Sequence, residues 1–133
     1  MNISESTITG AAILHVKVGE TLVEAGQRAA RALQAVQAGQ PIEPYFGISF
    51  TEVAPMFAAF TPSRWELIAV LREQGPMTVA ELAHRLGRNY KNVHTDITQL
   101  VEWMAVAGAS DGQVSVLWSE IIVDMRLPQP LAA

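Results

Sequence analysis

The sequence predicts an α+β fold for its 133 residues. Two observations carry this prediction. Three capping residues, Thr61, Thr78 and Asn89, each precede apolar residues at helical spacing, which indicates three successive helices. Alternating apolar and polar residues with β-branched side chains, at 8–18 and 106–127, indicate strands before and after those helices.

The first two capped helices are punctuated at both ends. Thr61 precedes a proline at the first helical position, where the missing N–H costs nothing, and Gly75 ends the helix. Thr78 and Glu81 fit a capping box, in which each side chain accepts the other residue's amide, and Gly87 ends this helix after about two turns. The apolar stripes are Trp65, Ile68 and Leu71 in the first helix and Val79, Leu82, Ala83 and Leu86 in the second.

The third capped helix is longer and spans residues 89–104. Asn89 caps it, and Val93, Ile97, Leu100 and Met104 form one apolar stripe. A short helix, a glycine turn and a longer helix with basic residues at its start have the layout of a helix-turn-helix that reads DNA.

A hairpin and a further strand follow the third helix. Asp111 and Gly112 between two apolar segments indicate a type I′ turn, because both central positions of that turn need positive φ. The segment 121–126 then alternates like a strand. Three helices, a hairpin and a strand predict a winged helix-turn-helix over residues 61–127, with 128–133 as a tail.

Residues 1–60 are predicted to form a strand-helix-strand extension that supplies association. The predicted elements are a strand within 8–18, a long helix at 20–40, a strand at 45–51 and a short helix at 52–60. Alanine and glycine in the long helix allow close helix approach, so we expect a homodimer. The alternative is that this helix covers the back of the same domain.

The amino-acid composition and the charge distribution limit the classes to which the protein can belong. Half of the residues are hydrophobic, 17% are charged and none is cysteine, which excludes disulfides and thiolate catalysis. No secretion signal or membrane span is evident, so we expect a cytoplasmic protein without a membrane partner. The net charge is −4, yet the ionisable residues from His84 to Thr95 are all basic or histidine. One basic face on an acidic body fits specific contact with double-stranded DNA.

The start of the third helix carries most of the candidate DNA contacts. Lys91 can donate to guanine or phosphate, Asn92 can form a bidentate pair with adenine, and Tyr90 can bond to phosphate. The alternative is a solvated face, and Arg64 can bind phosphate or pair with a carboxylate such as Glu102. The candidate DNA-binding residues are Arg88, Asn89, Tyr90, Lys91, Asn92, His94, Thr95, Thr98, Arg85 and Thr78.

The sequence gives little support for catalysis or for metal binding. His15, His84 and His94 fall on separate elements without ligand spacing, so no metal or cofactor is expected. Ser63, His84 and Asp96 could be combined into a triad, but the sequence has no nucleophile elbow. We expect no catalytic residues and no enzyme.

The second half of the chain resembles winged-helix transcriptional regulators related to the MarR group. More narrowly, it resembles small DNA-binding proteins regarded as antitoxin-type regulators. The similarity is carried by TPSRWELI at 61–68, GPMTVAELA at 75–83 and GRNYKNV at 87–93, with Asp96, Leu100 and Glu102. It departs from the winged-helix pattern at the wing, where residues 107–116 contain no Lys or Arg.

The expected function is therefore a sequence-specific transcriptional regulator, a repressor, that reads the major groove with helix 89–104. The alternative is an antitoxin-type interaction module that neutralises a toxin protein, with DNA binding secondary. The acidic excess outside the basic segment and the absence of Lys and Arg from the wing favour this alternative.

Overall fold

A computed structural model describes residues 12–41 and 44–127. The protein is of mixed α and β type, as the sequence predicted. The strands are β1 (Ile13–Val18), β2 (Phe46–Phe50), β3 (Met77–Thr78), β4 (Ala107–Gly108), β5 (Gln113–Ser115) and β6 (Glu120–Met125). The helices are α1 (Leu22–Gln37), α2 (Val53–Ala59), α3 (Pro62–Gln74), α4 (Val79–Leu86) and α5 (Tyr90–Glu102).

The three capped helix starts are confirmed. The Thr61 hydroxyl accepts the amide of Arg64, Thr78 and Glu81 form the capping box, and Asn89 caps α5. Helix α5 ends at Glu102 rather than at 104, because the chain turns there and Met104 adopts a φ of 66°. Helix α1 is shorter than the predicted 20–40, and the hydroxyl of Thr21 caps it. Of the strand predicted within 8–18, residues 8–11 lie outside the described residues.

A parallel sheet with the order β2-β1-β6 forms one side of the molecule. Val16 in the central strand is level with Ile48 on one side and Val123 on the other. Helix α1 makes the crossover from β1 to β2, because parallel neighbours cannot be joined by a tight hairpin.

The placement of the last strand corrects the predicted wing. Residues 120–125 pair with β1 and not with the hairpin, so the parallel sheet takes strands from both sides of the predicted boundary at residue 61. The alternating pattern of this segment identified a strand but not its neighbour. Pairing between segments about a hundred residues apart leaves no local signal in the sequence.

The second sheet is antiparallel, with the order β3-β5-β4. The hairpin between β4 and β5 is present, but the predicted type I′ turn is wrong. The amide of Ala109 donates to the carbonyl of Gln113 at 2.9 Å, and only Gly112 of the loop 110–112 has positive φ. This is the three-residue hairpin loop, in which one glycine supplies the left-handed position. The Asp111 carboxylate stabilises the loop by accepting the Gln113 amide at 3.0 Å.

One hydrophobic core joins the parallel sheet to the helices. Leu14, Val16 and Val18 alternate along β1 and turn the inner face of the sheet toward the helices. The largest fully buried side chains of the core are Leu14, Val16, Val18, Phe60, Leu67, Leu71, Leu82, Val93 and Leu100. None of the helices in the described part of the chain combines the length and apolar character that crossing a bilayer requires.

Trp118 lies in the segment between β5 of the antiparallel sheet and β6 of the parallel sheet. Its indole is buried, and Nε1 donates to the Met104 carbonyl at 2.8 Å. The Trp118 carbonyl accepts from Nε of Arg72 at 2.9 Å, and the next residue, Ser119, donates its amide to the Ala12 carbonyl. These bonds hold the segment between β5 and β6 in place.

We expect Trp118→Phe to lower the free energy of unfolding by about 2 kcal/mol, because the partly buried Met104 carbonyl loses its donor. Urea denaturation followed by circular dichroism measures the change. Trp65→Phe is the matched control, since Trp65 is half-buried and a phenyl ring keeps its stacking on Phe60. Equal losses in the two variants would contradict the role given to the Trp118 hydrogen bond.

Candidate functional site

The turn between α4 and α5 sets the position of the candidate site. Gly87 ends α4 with a φ of 64°, a left-handed conformation that glycine adopts without strain. Two residues later the Asn89 side chain accepts the amides of Lys91 and Asn92, at 2.8 and 3.4 Å. The cap therefore fixes the first turn of α5 while leaving the side chains of Lys91 and Asn92 exposed.

Helix α5 divides sharply into a buried and an exposed side. Val93, Ile97 and Leu100 enter the core, whereas the opposite side is open to solvent. The rings of Tyr90 and His94 lie 5.9 Å apart on that open side, one helical turn from each other. We call this side the α5 face. It consists of Tyr90, Lys91, Asn92, His94, Thr95 and Thr98.

The two threonines of the α5 face bond to their own helix. The hydroxyl of Thr95 donates to the Lys91 carbonyl at 3.0 Å, and that of Thr98 donates to the His94 carbonyl at 2.9 Å. Each hydroxyl oxygen keeps its acceptor capacity toward a ligand. The side chains on this face that are able to donate to a ligand are therefore chiefly those of Tyr90, Lys91, Asn92 and His94.

Arg88, which the sequence offered as a candidate DNA contact, does not project from the α5 face but is paired within the fold. Its side chain is 28% exposed, and Nη2 donates to the Asp96 carboxylate at 2.7 Å. Nη1 of Arg88 is buried without a hydrogen-bond partner among the described residues. The sequence showed a cation next to the turn, but the carboxylate that binds it lies two helical turns further on.

Asp96 also binds Arg64, so Arg64 pairs with a carboxylate, the second of its two alternatives, but that carboxylate is Asp96 and not Glu102. Nε of Arg64 donates to the Asp96 carboxylate at 3.0 Å, and Nη1 donates to the Ala59 carbonyl at 2.9 Å. The side chains of Arg64 and Asp96 are each only 13% exposed. Two guanidinium groups thus share one carboxylate, which links α3, the α4–α5 turn and α5.

The two candidates on α4 differ in their availability. Thr78 is engaged in the capping box, since its hydroxyl accepts the Glu81 amide at 3.2 Å and donates to the Glu81 carboxylate at 3.0 Å. Arg85 is exposed and donates to the Gln74 side chain on α3. A hydrogen bond to a neutral amide leaves the Arg85 charge uncompensated, so Arg85 remains able to contact an anion.

The charge near the α5 face is positive but small. The exposed cations are Arg85 and Lys91, and His84 and His94 are exposed nearby in the chain. The tip of the hairpin carries no cation, and its single charged residue is Asp111. Any anionic ligand would therefore be held by α4 and α5 rather than by the hairpin.

Histidines and carboxylates do not converge into a metal site in the parts of the chain that the structure describes. No group of three or more His, Cys, Asp or Glu side chains there could hold a metal ion. Of the triad considered above, Asp96 is occupied by two arginines and the hydroxyl of Ser63 lies 3.2 Å from that of Thr61.

A second polar cluster, which the sequence analysis missed, lies between α1 and the outer face of the parallel sheet. Arg28 pairs with Glu20, and its guanidinium lies 4.4 Å from the centre of the Tyr45 ring. His15 stacks on the same ring at 5.0 Å. Two further ion pairs complete the cluster, Lys17 with Asp124 at 2.9 Å and Arg126 with Glu24 at 2.7 Å. The signal in the sequence was the alternation of His15 and Lys17 with buried residues of β1.

The pKa values in this cluster reflect its ion pairs. The hydrogen bond from Arg28 lowers the pKa of Glu20, and the bond from Lys17 lowers the pKa of Asp124. Burial, and then the charges of Lys17 and Arg28, lower the pKa of His15. The cluster therefore favours the ionised forms of Glu20 and Asp124 and the neutral form of His15.

Comparison with known proteins places part of the chain beside one protein family. Residues 59–123 match the model of the uncharacterised family HVO_A0114. The matched segment begins at the end of α2 and ends within β6, so it contains α3, α4 and α5. No curated protein matches the chain, and no solved structure does.

We expect Asp96→Ala to lower the free energy of unfolding by about 3 kcal/mol, because two partly buried guanidinium groups lose their counter-charge. Urea denaturation measures the loss. Glu102→Ala removes an exposed carboxylate from the same helix and should change the stability by less than about 0.5 kcal/mol. A loss below about 1 kcal/mol in Asp96→Ala would show that the arginines do not need this carboxylate.

The lowered pKa values of Glu20 and Asp124 predict a loss of stability in acid. Their contribution is complete above the unfolded-state carboxyl pKa of about 4 and disappears as the pH falls through the lower folded-state pKa values. Glu20→Gln should therefore destabilise the protein at pH 7 but not at a pH below both values, as measured by urea denaturation. Glu73→Gln, on the exposed side of α3, serves as the control. An effect of Glu20→Gln that is independent of pH would contradict the ion pair.

Proposed function

We propose that this protein is a sequence-specific DNA-binding transcriptional regulator in which residues 61–118 act as a winged helix-turn-helix. In this proposal α5 enters the major groove and presents the α5 face to base edges. One observation carries the proposal: the first turn of α5 is exposed, capped by Asn89 and held in orientation by ion pairs behind it. The first turn of a recognition helix is the part that contacts bases.

The order of the elements supports the proposal. Helices α3, α4 and α5 follow one another, with β3 between the first two and the β4–β5 hairpin after the third. Strand β3 pairs with β5, which ties the start of the helix-turn-helix to the hairpin. Three helices with this strand arrangement are typical of a winged helix, and β6 is then an additional strand outside it.

Each group on the α5 face suits a contact that DNA offers. Asn92 can donate to and accept from an adenine edge, which distinguishes an A·T pair in the major groove. Lys91 can donate to guanine or to phosphate, and the Tyr90 hydroxyl can donate to a phosphate oxygen. Arg88 now has a different role, that of a positioning residue that holds the turn through Asp96.

The small positive charge implies binding that depends more on base contacts than on phosphates. Each phosphate neutralised adds about 0.9 to the slope of log K against log salt, and Arg85 and Lys91 are the exposed cations on this side. A regulator of this kind would occupy few genomic sites. Bound at a promoter, it would act as a repressor.

A second candidate function is the antitoxin-type interaction module. It is favoured by the absence of cations from the hairpin tip and by exposed apolar side chains on α1, such as Leu22 and Leu33. A small toxin-like reading frame beside this gene would support it. If the purified protein inhibits that toxin, and substitutions on the α5 face do not affect the inhibition, toxin binding is the main function and DNA binding is secondary.

We expect Asn92→Ala to weaken binding to the specific DNA site roughly ten- to a hundredfold without changing binding to unrelated DNA, because an adenine contact is lost. Lys91→Ala should weaken both and reduce the salt slope by about 1. Mobility shift with the DNA upstream of the gene, at two salt concentrations, measures these effects.

Arg31→Ala is the matched control for Lys91→Ala. It removes one exposed cation from α1, which lies on the far side of the parallel sheet from α5. Arg31→Ala should leave DNA affinity unchanged. If Asn92→Ala and Lys91→Ala bind the upstream DNA as the wild type does, the α5 face is not the DNA-binding surface.

A further inference from the structure

The apolar side of α1 faces solvent. None of its 16 residues is buried. Leu22 is 91% exposed, Leu33 58% and Val36 54%. A crossover helix normally covers its sheet with apolar side chains, so that the sheet is dry on both faces. Here the arrangement is reversed.

Ion pairs hold α1 in this reversed orientation. Glu24 binds Arg126 at the end of β6, and Arg28 binds Glu20 while covering the Tyr45 ring. These contacts commit the charged side of the helix to the sheet. Rotation of α1 to bury its leucines would break them and would place Glu24 and Arg28 in solvent. The apolar side therefore needs cover from outside the described residues.

The exposed residues follow the spacing of a helix-packing seam. Leu22, Gly26, Ala29, Leu33 and Val36 succeed one another at steps of four, three, four and three residues, which places them on one stripe along α1. The positions beside the stripe carry no charge. They are Val23, Ala25, Ala30 and Ala32.

Gly26 indicates that the covering element approaches closely. A glycine inside a helix costs stability relative to alanine. A Cβ added at Gly26 would meet nothing within 4 Å in this chain, so packing within the molecule does not explain the glycine. Its absent side chain leaves a depression in the stripe. Leu33, two turns further on, is the protruding residue of the same stripe.

We propose that two copies of the chain associate through α1, packed antiparallel about a two-fold axis near Ala29. In this arrangement Leu33 lies over Gly26 of the partner subunit, and Leu22 meets Val36 of the partner subunit. A parallel pairing would instead place leucine against leucine and glycine against glycine. The antiparallel pairing instead matches Leu33 to Gly26 of the partner subunit on each side of the axis, and it brings Leu22 and Val36 of the partner subunit into apolar contact at the ends.

A second copy is the occupant that this surface fits. The stripe and its flanks carry no charge that could select an acidic or basic partner, whereas an identical stripe reversed in direction sets Leu33 against Gly26 of the partner subunit on each side of the two-fold axis. The dimer deepens the proposed function, because a two-fold pair presents two copies of α5 to a two-fold DNA site. It does not depend on that function.

Sedimentation equilibrium of the full chain tests the association. The wild type should be a dimer, and Leu33→Glu should raise the dissociation constant at least tenfold. Gln34→Glu adds the same charge at the neighbouring exposed position and should leave the dimer intact. Gly26→Leu is the sharper variant, because it should stabilise the monomer's helix while weakening the dimer. A monomeric wild type, or a dimer unaffected by Leu33→Glu and Gly26→Leu, overturns the proposal.

Cysteine cross-linking tests the direction of packing, since the chain has no cysteine of its own. Leu22→Cys and Val36→Cys should form a disulfide when the two variants are mixed. Neither should cross-link to itself, because two copies of residue 22 would lie about 21 Å apart along the helix axis. Gln27→Cys, on the sheet-facing side, is the control. Self-cross-linking of either stripe variant would mean a parallel pair and would overturn the antiparallel proposal.

The oligomer measurements contain no DNA, so their failure would leave the proposed DNA binding open to its own test. A mobility-shift assay with Leu33→Glu then shows whether DNA binding requires the dimer. A dimeric wild type that does not bind DNA overturns the proposed function alone, and a wild type that binds DNA as a monomer overturns the α1 dimer alone.

Discussion

The shared carboxylate of Asp96 is the interaction on which the geometry of the candidate site depends. Arg64 comes from α3 and Arg88 from the turn before α5, and both guanidinium groups converge on it in a partly buried position. Two like charges so placed would repel each other without the carboxylate between them. Because Asp96 lies on the inner side of α5, the same pairs that neutralise it also fix which side of the helix is turned outward.

The sequence predicted what short-range chemistry determines. The cap at Asn89 and the capping box at Thr78 depend on residues two or three positions apart, and the helices that they begin are present. The role of Arg88 could not be predicted in the same way, because its partner lies across a turn on another face of α5. The neighbour of β6 was missed for the same physical reason, since alternation identifies a strand without identifying its pair.

One face of the parallel sheet is apolar and the other is charged. Leu14 and Val16 bury the inner face in the core, whereas His15 and Lys17 on the outer face meet the charged side of α1. The alanine and glycine content of α1 is visible in the sequence, but its orientation on the sheet is not. The ion pair of Glu24 with Arg126 supplies that orientation, and it could be found only once β6 was placed beside β1.

The position of β6 has a consequence for the order in which the molecule is built during translation. Strand β1 is made early, but its second neighbour is provided only when residues 120–125 have been synthesised. Until then the backbone N–H and C=O groups along one edge of β1 are unpaired, and the apolar residues that the finished sheet covers are exposed. Emerging chains on the ribosome would therefore offer this edge to other nascent chains or to chaperones.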